Sequence, residues 1–255
     1  PKQYFNDNPQ SQPQSQSHSS GASLPARHLA QERLVTSQPK PLPITIGAQP
    51  PSFINPQLFQ ETINNHNQNN LINYLDTIFD NEIVDHLINI YKIGTSSYYN
   101  GGTTIFWQID TQGRVRTGKL MKYDSVTGKR IKKPFVATNW FHAVHYGKGF
   151  NLSQCLFGEH LLAEYTTMPV ALVESEKTAI IAQAKMPDFL WMATGSLNEF
   201  KASKLEVLRK RRVVAFPDLG AYDHWLKKAV TIDFPIEVSN YLEKNATNAQ
   251  RKEGL

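Results

Sequence analysis

Four short apolar runs in the last third of the chain alternate with helical patterns. Val170-Ala171-Leu172-Val173, Phe189-Leu190-Trp191-Met192-Ala193, Val213-Val214-Ala215-Phe216 and Ile236-Glu237-Val238 read as strands, the first three as buried ones. Helical spacing fills the gaps at Glu176–Ala184, at Asn198–Arg209 with its Leu205 and Leu208 face, and at Ala221–Val230. Strands separated by helices of about ten residues imply a parallel sheet with right-handed crossovers, a small doubly wound α/β unit.

Upstream the period changes. From Pro56 to Lys92 the apolar positions fall at helical spacing, as in Leu71, Tyr74, Leu75 and Ile78, then Ile83, Val84, Leu87, Ile88 and Tyr91. Asn55 followed by Pro56 suits a cap and a first-turn proline. Between Gly94 and Tyr146 the pattern is β-rich. Thr103–Asp110 is one strand, Thr111-Gln112-Gly113 turns it, Arg114–Tyr123 returns, and Ser125–Gly128 turns again into Lys129-Arg130-Ile131. The first 50 residues hold eight Gln, eight Pro and seven Ser. Such a stretch buries too little apolar surface to offset its ordering entropy and reads as linker. Within it, Leu24–Val35 fits a short helix and Leu42–Ile46 an extended strand. The chain starts at Pro1 without methionine and reads as a piece of a longer protein.

Charge sharpens the picture through its distribution. Thr111–Phe150 carries nine Lys and Arg against one acid, Asp124, so this segment is net +8 and the rest of the +5 chain is net −3. A basic meander suits a polyanion, although a solvated lysine-rich hairpin has the same composition. Cys155 is the sole cysteine; a free, buried thiol fits a reducing cytoplasm. No apolar run is long enough for a membrane span, which leaves no membrane partner, and no signal-peptide pattern opens the chain. His66 and His86 in the helical region are more often surface or core residues than ligands. His142 and His145 lack the carboxylate or cysteine companions of a zinc site.

In an open parallel sheet, ligands bind beyond the carboxyl ends of the strands. Glu174 directly follows the first strand, and Asp218 follows the third by two residues. If those strands are neighbours, about 4.8 Å apart, the two carboxylates face one pocket and share a hydrated divalent ion, Mg²⁺ or Mn²⁺. Glu176, Asp223 and His224 are close enough in sequence to join. Gly195, after the second strand, lets a phosphate or backbone approach closely. Each acid also has a plainer use. A Glu suits the start of the next helix, and an Asp after Pro217 suits a turn.

These residues resemble a known family. Val173-Glu174-Ser175-Glu176-Lys177-Thr178-Ala179 is similar to the toprim opening, a strand followed by Glu-Gly-Glu-x-x-Ala. Ala193-Thr194-Gly195-Ser196 is similar to the second toprim strand with its glycine, and Arg212–Gly220 to the strand carrying Asp-x-Asp. Leu156-Phe157-Gly158-Glu159, together with the basic meander before it, resembles the approach to the toprim glutamate in bacterial primases, most nearly the primase-like toprim proteins of mobile elements. The resemblance spans roughly residues 70–240 and is strongest over 170–225. It implies a linker over 1–55, a helical and basic β-rich subdomain over 56–165, a toprim domain over 166–255, and a zinc ribbon upstream of Pro1.

The resemblance implies primer synthesis by nucleotidyl transfer on single-stranded DNA, with nucleoside triphosphates as substrates and a replicative helicase among candidate partners. Glu174, Asp218 and Asp223 would be catalytic, and Glu176 would join them on the metal. Gly195 and Ser196 would border the phosphates. Arg114, Arg116, Lys119, Lys122, Arg130, Lys132 and Lys133 would grip the template, and Tyr123 or Trp107 would stack on bases, core packing being the commoner use of Trp107. Two departures count against this: Ser175 replaces a glycine, and Gly220 stands where the second aspartate belongs. Asp223 is the nearest substitute in sequence. The alternatives are a non-catalytic single-strand-binding module and a metal-dependent nuclease or phosphatase.

Overall fold

The computed structural model describes residues 49–253 apart from Phe135. The sequence expectations for Leu24–Val35 and Leu42–Ile46, and most of the 1–55 linker, lie outside the described residues. The described end of that segment is built in. Ile54 is buried, its amide donates to the Val115 carbonyl at 2.8 Å, and the Ser52 amide donates to the Asn151 carbonyl at 2.9 Å.

The expected helical region breaks into α1 (Pro56–Gln60), α2 (Asn70–Leu75) and α3 (Asn81–Tyr91). The breaks follow the asparagines. Asn55 and Asn69 accept amide hydrogen bonds as side-chain caps of α1 and α2, satisfying the first-turn amides that a helix leaves open. The antiparallel sheet follows in the order β1 (Gly94–Ser96), β2 (Thr103–Ile109), β3 (Val115–Lys122), β4 (Thr138–Trp140). Lys129–Ile131 was expected as the third strand of the meander. It makes only an isolated bridge, Tyr123 to Arg130, and Thr138–Trp140 takes that place instead. The lysines and proline of Lys132–Pro134 supply no apolar face to hold a strand there. After β4 come the short helix α4 (Phe141–His145) and then the α/β unit.

That unit runs β5 (Val170–Val173), α5 (Glu176–Lys185), β6 (Leu190–Ala193), α6 (Ala202–Leu205), β7 (Val213–Ala215), α7 (Tyr222–Ala229), β8 (Glu237–Val238), α8 (Tyr241–Asn245) and α9 (Asn248–Glu253). All its pairings are parallel, in the order β6-β5-β7-β8, which makes β5 and β7 neighbours. The mixed α/β architecture with flanking helices is as the sequence predicts. The helix expected over Asn198–Arg209 is broken: a 3₁₀ turn at Leu197–Glu199 is followed by an extended Lys201 and then α6.

The two sheets share the larger of two apolar clusters. Residues of β2 alternate across the antiparallel sheet. Ile105, Trp107 and Ile109 pack with Phe59 and Phe141 on one face. Phe106 and Met121 on the other join the apolar residues of α2, α3 and the parallel sheet. Tyr123 is part of this larger core at 3% exposed, so the base-stacking role expected for it is wrong. Trp107 is wholly buried, in the packing role expected as the commoner one. Phe157 is the junction. Its ring stacks on Tyr91 at 5.0 Å and meets the edge of Phe106 at 5.6 Å. Its backbone exchanges hydrogen bonds with Ala193 at the free edge of β6. The Tyr91 hydroxyl donates to the Trp191 carbonyl at 2.7 Å. Among the described residues no helix is long and apolar enough to cross a membrane.

Phe157→Ala removes the ring that packs on Tyr91 of α3 and Phe106 of β2 within the core shared with the parallel sheet. It should destabilise the protein by about 3–5 kcal/mol in urea unfolding. Because the core is shared, both sheets should be lost in one transition rather than two.

Candidate active site at the parallel strand ends

The parallel register carries Glu174 and Asp218 to one edge. Leu172 pairs with Ala215, and the Phe216 amide donates to the Leu172 carbonyl at 2.7 Å, so the residues just beyond both strands emerge side by side. Desolvation by the surrounding protein holds the Glu174 carboxyl above the usual glutamate range, and the negative charge of Asp218 raises it further. The Leu197 amide and the Lys119 ammonium oppose that rise only in part. Asp218 is also held high by loss of solvent around its carboxyl, although the residue as a whole reaches the surface. Two desolvated carboxyls at a strand-end edge, one raised further by the charge of the other, have the chemistry of a site for a positive group.

Ser175 shows what replaced the expected glycine. Its hydroxyl accepts from the Thr178 amide at 3.1 Å and caps α5. Glu176, in the first turn of α5, is 1% exposed, and its charge adds a smaller rise to the Glu174 pKa. Its carboxylate binds Lys119, with the Nζ at 3.2 Å from Oε1 and 3.1 Å from Oε2. The same ammonium donates to the Gly195 carbonyl at 2.7 Å. Lys119 comes from β3, so it ties the antiparallel sheet to the loop after β6. That loop hangs on the acid itself, since the Gly195 amide donates to the Glu174 carbonyl at 2.9 Å. Gly195 has φ +90°, and a Cβ there would lie 3.2 Å from Glu176 Oε1. Ser196 follows in extended conformation, its carbonyl accepting from the Thr194 hydroxyl. Buried Lys204 fixes the loop from below, with its Nζ 2.8 Å from the Thr194 carbonyl and 3.3 Å from Glu199. Burial lowers its pKa against the pull of Glu199.

The expected four-acid metal set is not assembled. Among the described residues no three His, Cys, Asp or Glu side chains converge to hold an ion. Glu176 is committed to Lys119, and Asp223 is exposed in the first turn of α7. Gly220 adopts φ +86°, a left-handed turn that suits glycine. The carboxylate nearest it is Glu243 of α8, whose Oε1 accepts from the Gly220 amide at 2.6 Å. Glu243 was not singled out in the sequence, because 23 residues separate it from Gly220 and no local pattern joins them.

The basic residues divide into two groups. Arg114 and Arg116 both bind Asp110, at 2.9 Å and 2.8 Å, and both lie over the Phe53 ring. Burial pushes the Asp110 carboxyl up, but hydrogen bonds from Arg114, Arg116 and the Gln112 amide outweigh it and hold the pKa below the usual range. Asp110 also went unnoticed in the sequence, although an Asp opening a turn that closes on Gly113 is a signature of such side-chain-to-backbone bonds. Lys122 donates to the Tyr99 carbonyl at 2.7 Å. Lys129, Arg130, Lys132 and Lys133 are exposed on the β3–β4 connection and form no ion pair with a described residue. His142 accepts from or donates to the Thr117 hydroxyl at 2.7 Å, and His145 stacks on Phe141 at 4.0 Å, so neither is arranged with the other as a metal ligand.

A family model described as Domain of unknown function (DUF6371) matches residues 69–219. The chain belongs to this family. The DUF6371 match runs from the cap of α2 to the residue after Asp218, so it contains Glu174, Lys119 and Asp218 and ends before Gly220. No curated protein matches the chain. Among solved structures, the primase fragment of the bacteriophage T7 primase-helicase protein is similar, at TM-score 0.42 and 13% identity over 66% of this chain and 68% of that one. The Aquifex aeolicus primase (zinc binding and RNA polymerase domains) is similar at TM-score 0.35 and 11% identity, over 69% of this chain and 49% of that one.

Lys119→Met should cost about 3–5 kcal/mol in urea unfolding at neutral pH, because it strands the Glu176 carboxylate in the interior. Adding Glu176→Gln should recover most of that loss; a double variant no more stable than the single one would show that the pair does not hold the sheets together. The raised pKa of Glu174 and Asp218 fixes a second expectation. A carboxyl whose pKa is higher folded than unfolded weakens the fold as pH rises through the interval between the two values. Glu174→Gln and Asp218→Asn should therefore unfold at higher temperature than the parent protein at pH 7, with the difference vanishing at pH values below the ordinary carboxyl range.

Proposed function

We propose that this protein is a primase-like nucleotidyl-transfer core acting on single-stranded DNA, with Glu174 and Asp218 as its reacting edge. The observation that carries the reading is the pair of desolvated carboxylates at the ends of adjacent parallel strands, beside a lysine from a basic antiparallel sheet. The motif resemblance around Glu174, Gly195 and Asp218 supports it.

The donor set fits a hydrated Mg²⁺ or Mn²⁺. Both groups are hard oxygen donors, and Mg²⁺ keeps several waters when one or two carboxylates hold it. Glu174 and Asp218 would hold the ion, which when bound would offset charge on the transferring phosphoryl group. Glu174, with its raised pKa, is suited to accept the proton of an attacking 3′ hydroxyl. The Lys119 ammonium is fixed beside the Gly195 carbonyl and supplies positive charge at the same edge. Gly195 and Ser196 give backbone that a phosphate can approach. Lys129, Arg130, Lys132 and Lys133 would track the phosphates of the template, while Arg114 and Arg116 shape the sheet through Asp110. Nucleoside triphosphates and a replicative helicase belong to this reading as substrate and partner, in replication of a mobile element.

A second reading has its own observation. Gly220 stands where the resemblance places an acid, and among the described residues Glu243 meets its backbone without completing a three-acid site. That favours a module that binds single-stranded DNA without polymerising. One assay separates the two, using the full chain with a single-stranded template, nucleoside triphosphates, and Mg²⁺ or Mn²⁺. The transfer reading expects short oligonucleotide products, reduced roughly 100-fold or more by Glu174→Gln or Asp218→Asn with DNA binding retained. Product that survives Glu174→Gln removes the role assigned to that residue. DNA binding without product under either metal supports the second reading, and template cleavage without nucleotides marks a nuclease. Changing Lys129, Arg130, Lys132 and Lys133 to Gln should flatten the salt dependence of DNA binding by a slope of about 3.

A further inference from the structure

A cavity of about 350 Å³ lies among the α1–α2 connection, the β1–β2 loop and α4, lined by residues that the strand-end chemistry does not use. Its size is at the lower end for small-molecule sites. Among the described residues the lining contains no lysine or arginine, and one acid, Glu61. Amides of Asn64, Asn65 and Gln68 and hydroxyls of Ser96 and Ser97 provide the polar wall. Phe141 and Leu58 provide the apolar part, and the His145 ring, stacked on Phe141 at 4.0 Å, completes it. The side chains of Gln68, Ser97 and His145 make no hydrogen bond to a described residue, so their donors and acceptors are available.

The rim is under backbone strain. Tyr99, Asn100, Gly101 and Gly102 all have positive φ, at 56°, 61°, 80° and 68°. Two of these are not glycine, and left-handed backbone at such residues costs free energy unless the surroundings fix it. Strain of this kind gathers at ligand clamps. Asn65, also in the lining, is left-handed as well, at φ 53°.

We infer that this cavity binds a single unpaired nucleobase by its edge and face. Side-chain amides and hydroxyls match the mixed donors and acceptors of a base edge, and Asn or Gln pairs with adenine through two hydrogen bonds. Histidine and phenylalanine rings offer stacking surface of the kind used for splayed-out bases. Among the described lining residues the polar groups are amides, hydroxyls, the His145 ring and the Glu61 carboxylate, which suits an uncharged polar ring better than a phosphate. The choice of a base over another flat polar ring rests on the nucleic-acid reading above; the cavity chemistry itself is independent of Glu174 and Asp218. A free nucleoside and a base everted from a strand present the same chemistry.

The test follows the imidazole resonances of His145 by NMR, assigned with His145→Gln. Adenosine, ATP, an oligo(dA) strand and the same strand with an abasic centre are titrated into the full chain, and each titration is repeated in the Glu174→Gln protein. A saturable shift with adenosine is expected, weakened at least tenfold by combined Gln68→Ala and Ser97→Ala, two exposed changes that leave the circular dichroism intact. ATP should bind within about twofold of adenosine. A response to oligo(dA) that the abasic strand lacks assigns the base to a strand, and a response to adenosine alone assigns it to a free nucleoside. No saturable shift with adenosine or oligo(dA), a shift untouched by the double variant, or ATP bound more than tenfold tighter would overturn the inference. An intact His145 response with no primer synthesis overturns only the transfer reading; the converse overturns only this one.

Discussion

One buried ion pair organises the site. Lys119 leaves the antiparallel sheet, spans to Glu176 at the start of α5, and takes the Gly195 carbonyl as a third contact. Both charges have left water, so the pair holds its geometry only because each partner is satisfied there. Its consequence is positional. The basic sheet cannot move relative to the strand-end edge without uncovering a charge, and the loop that hangs on the Glu174 carbonyl is held at the same point.

With Glu176 spent in this way, the electrostatic load of the edge falls on Glu174 and Asp218. Loss of solvent around both carboxyls raises their proton affinity, and the charge of Asp218 adds to the rise at Glu174. Lysines elsewhere follow the same division between holding and reaching. Lys204 and Lys177 lose proton affinity to burial while their ammonium groups fix carbonyls, of Thr194 and Gly128 respectively. Lys129, Arg130, Lys132 and Lys133 stay in solvent. Net charge along the segment is therefore a poor guide to which cations can meet a polyanion; their partners decide it.

Much of the fold was legible because its signal is local. Val170–Val173 is buried on both faces, and continuous apolar runs between helical patterns specify parallel strands without reference to anything distant. Asn55 as a cap and Pro56 at the start of a helix are likewise decided by the nearest few residues. The errors arose where the deciding partner was remote. Lys129–Ile131 had strand composition, but Thr138–Trp140 won the pairing with β3. Tyr123 looked available to a base until Phe106 and the parallel sheet closed over it.

The sequence by itself determined the α/β class, the order of the strands along the chain, and the placement of Glu174 and Asp218 at strand termini, since periodicity and strand ends are properties of short segments. Tertiary structure alone decided that β5 and β7 are neighbours, that Glu176 answers Lys119 across 57 residues instead of joining the acids, and that Glu243 meets the backbone of Gly220. Those are choices of partner between groups far apart in the chain, and they depend on which surfaces a shared core brings together.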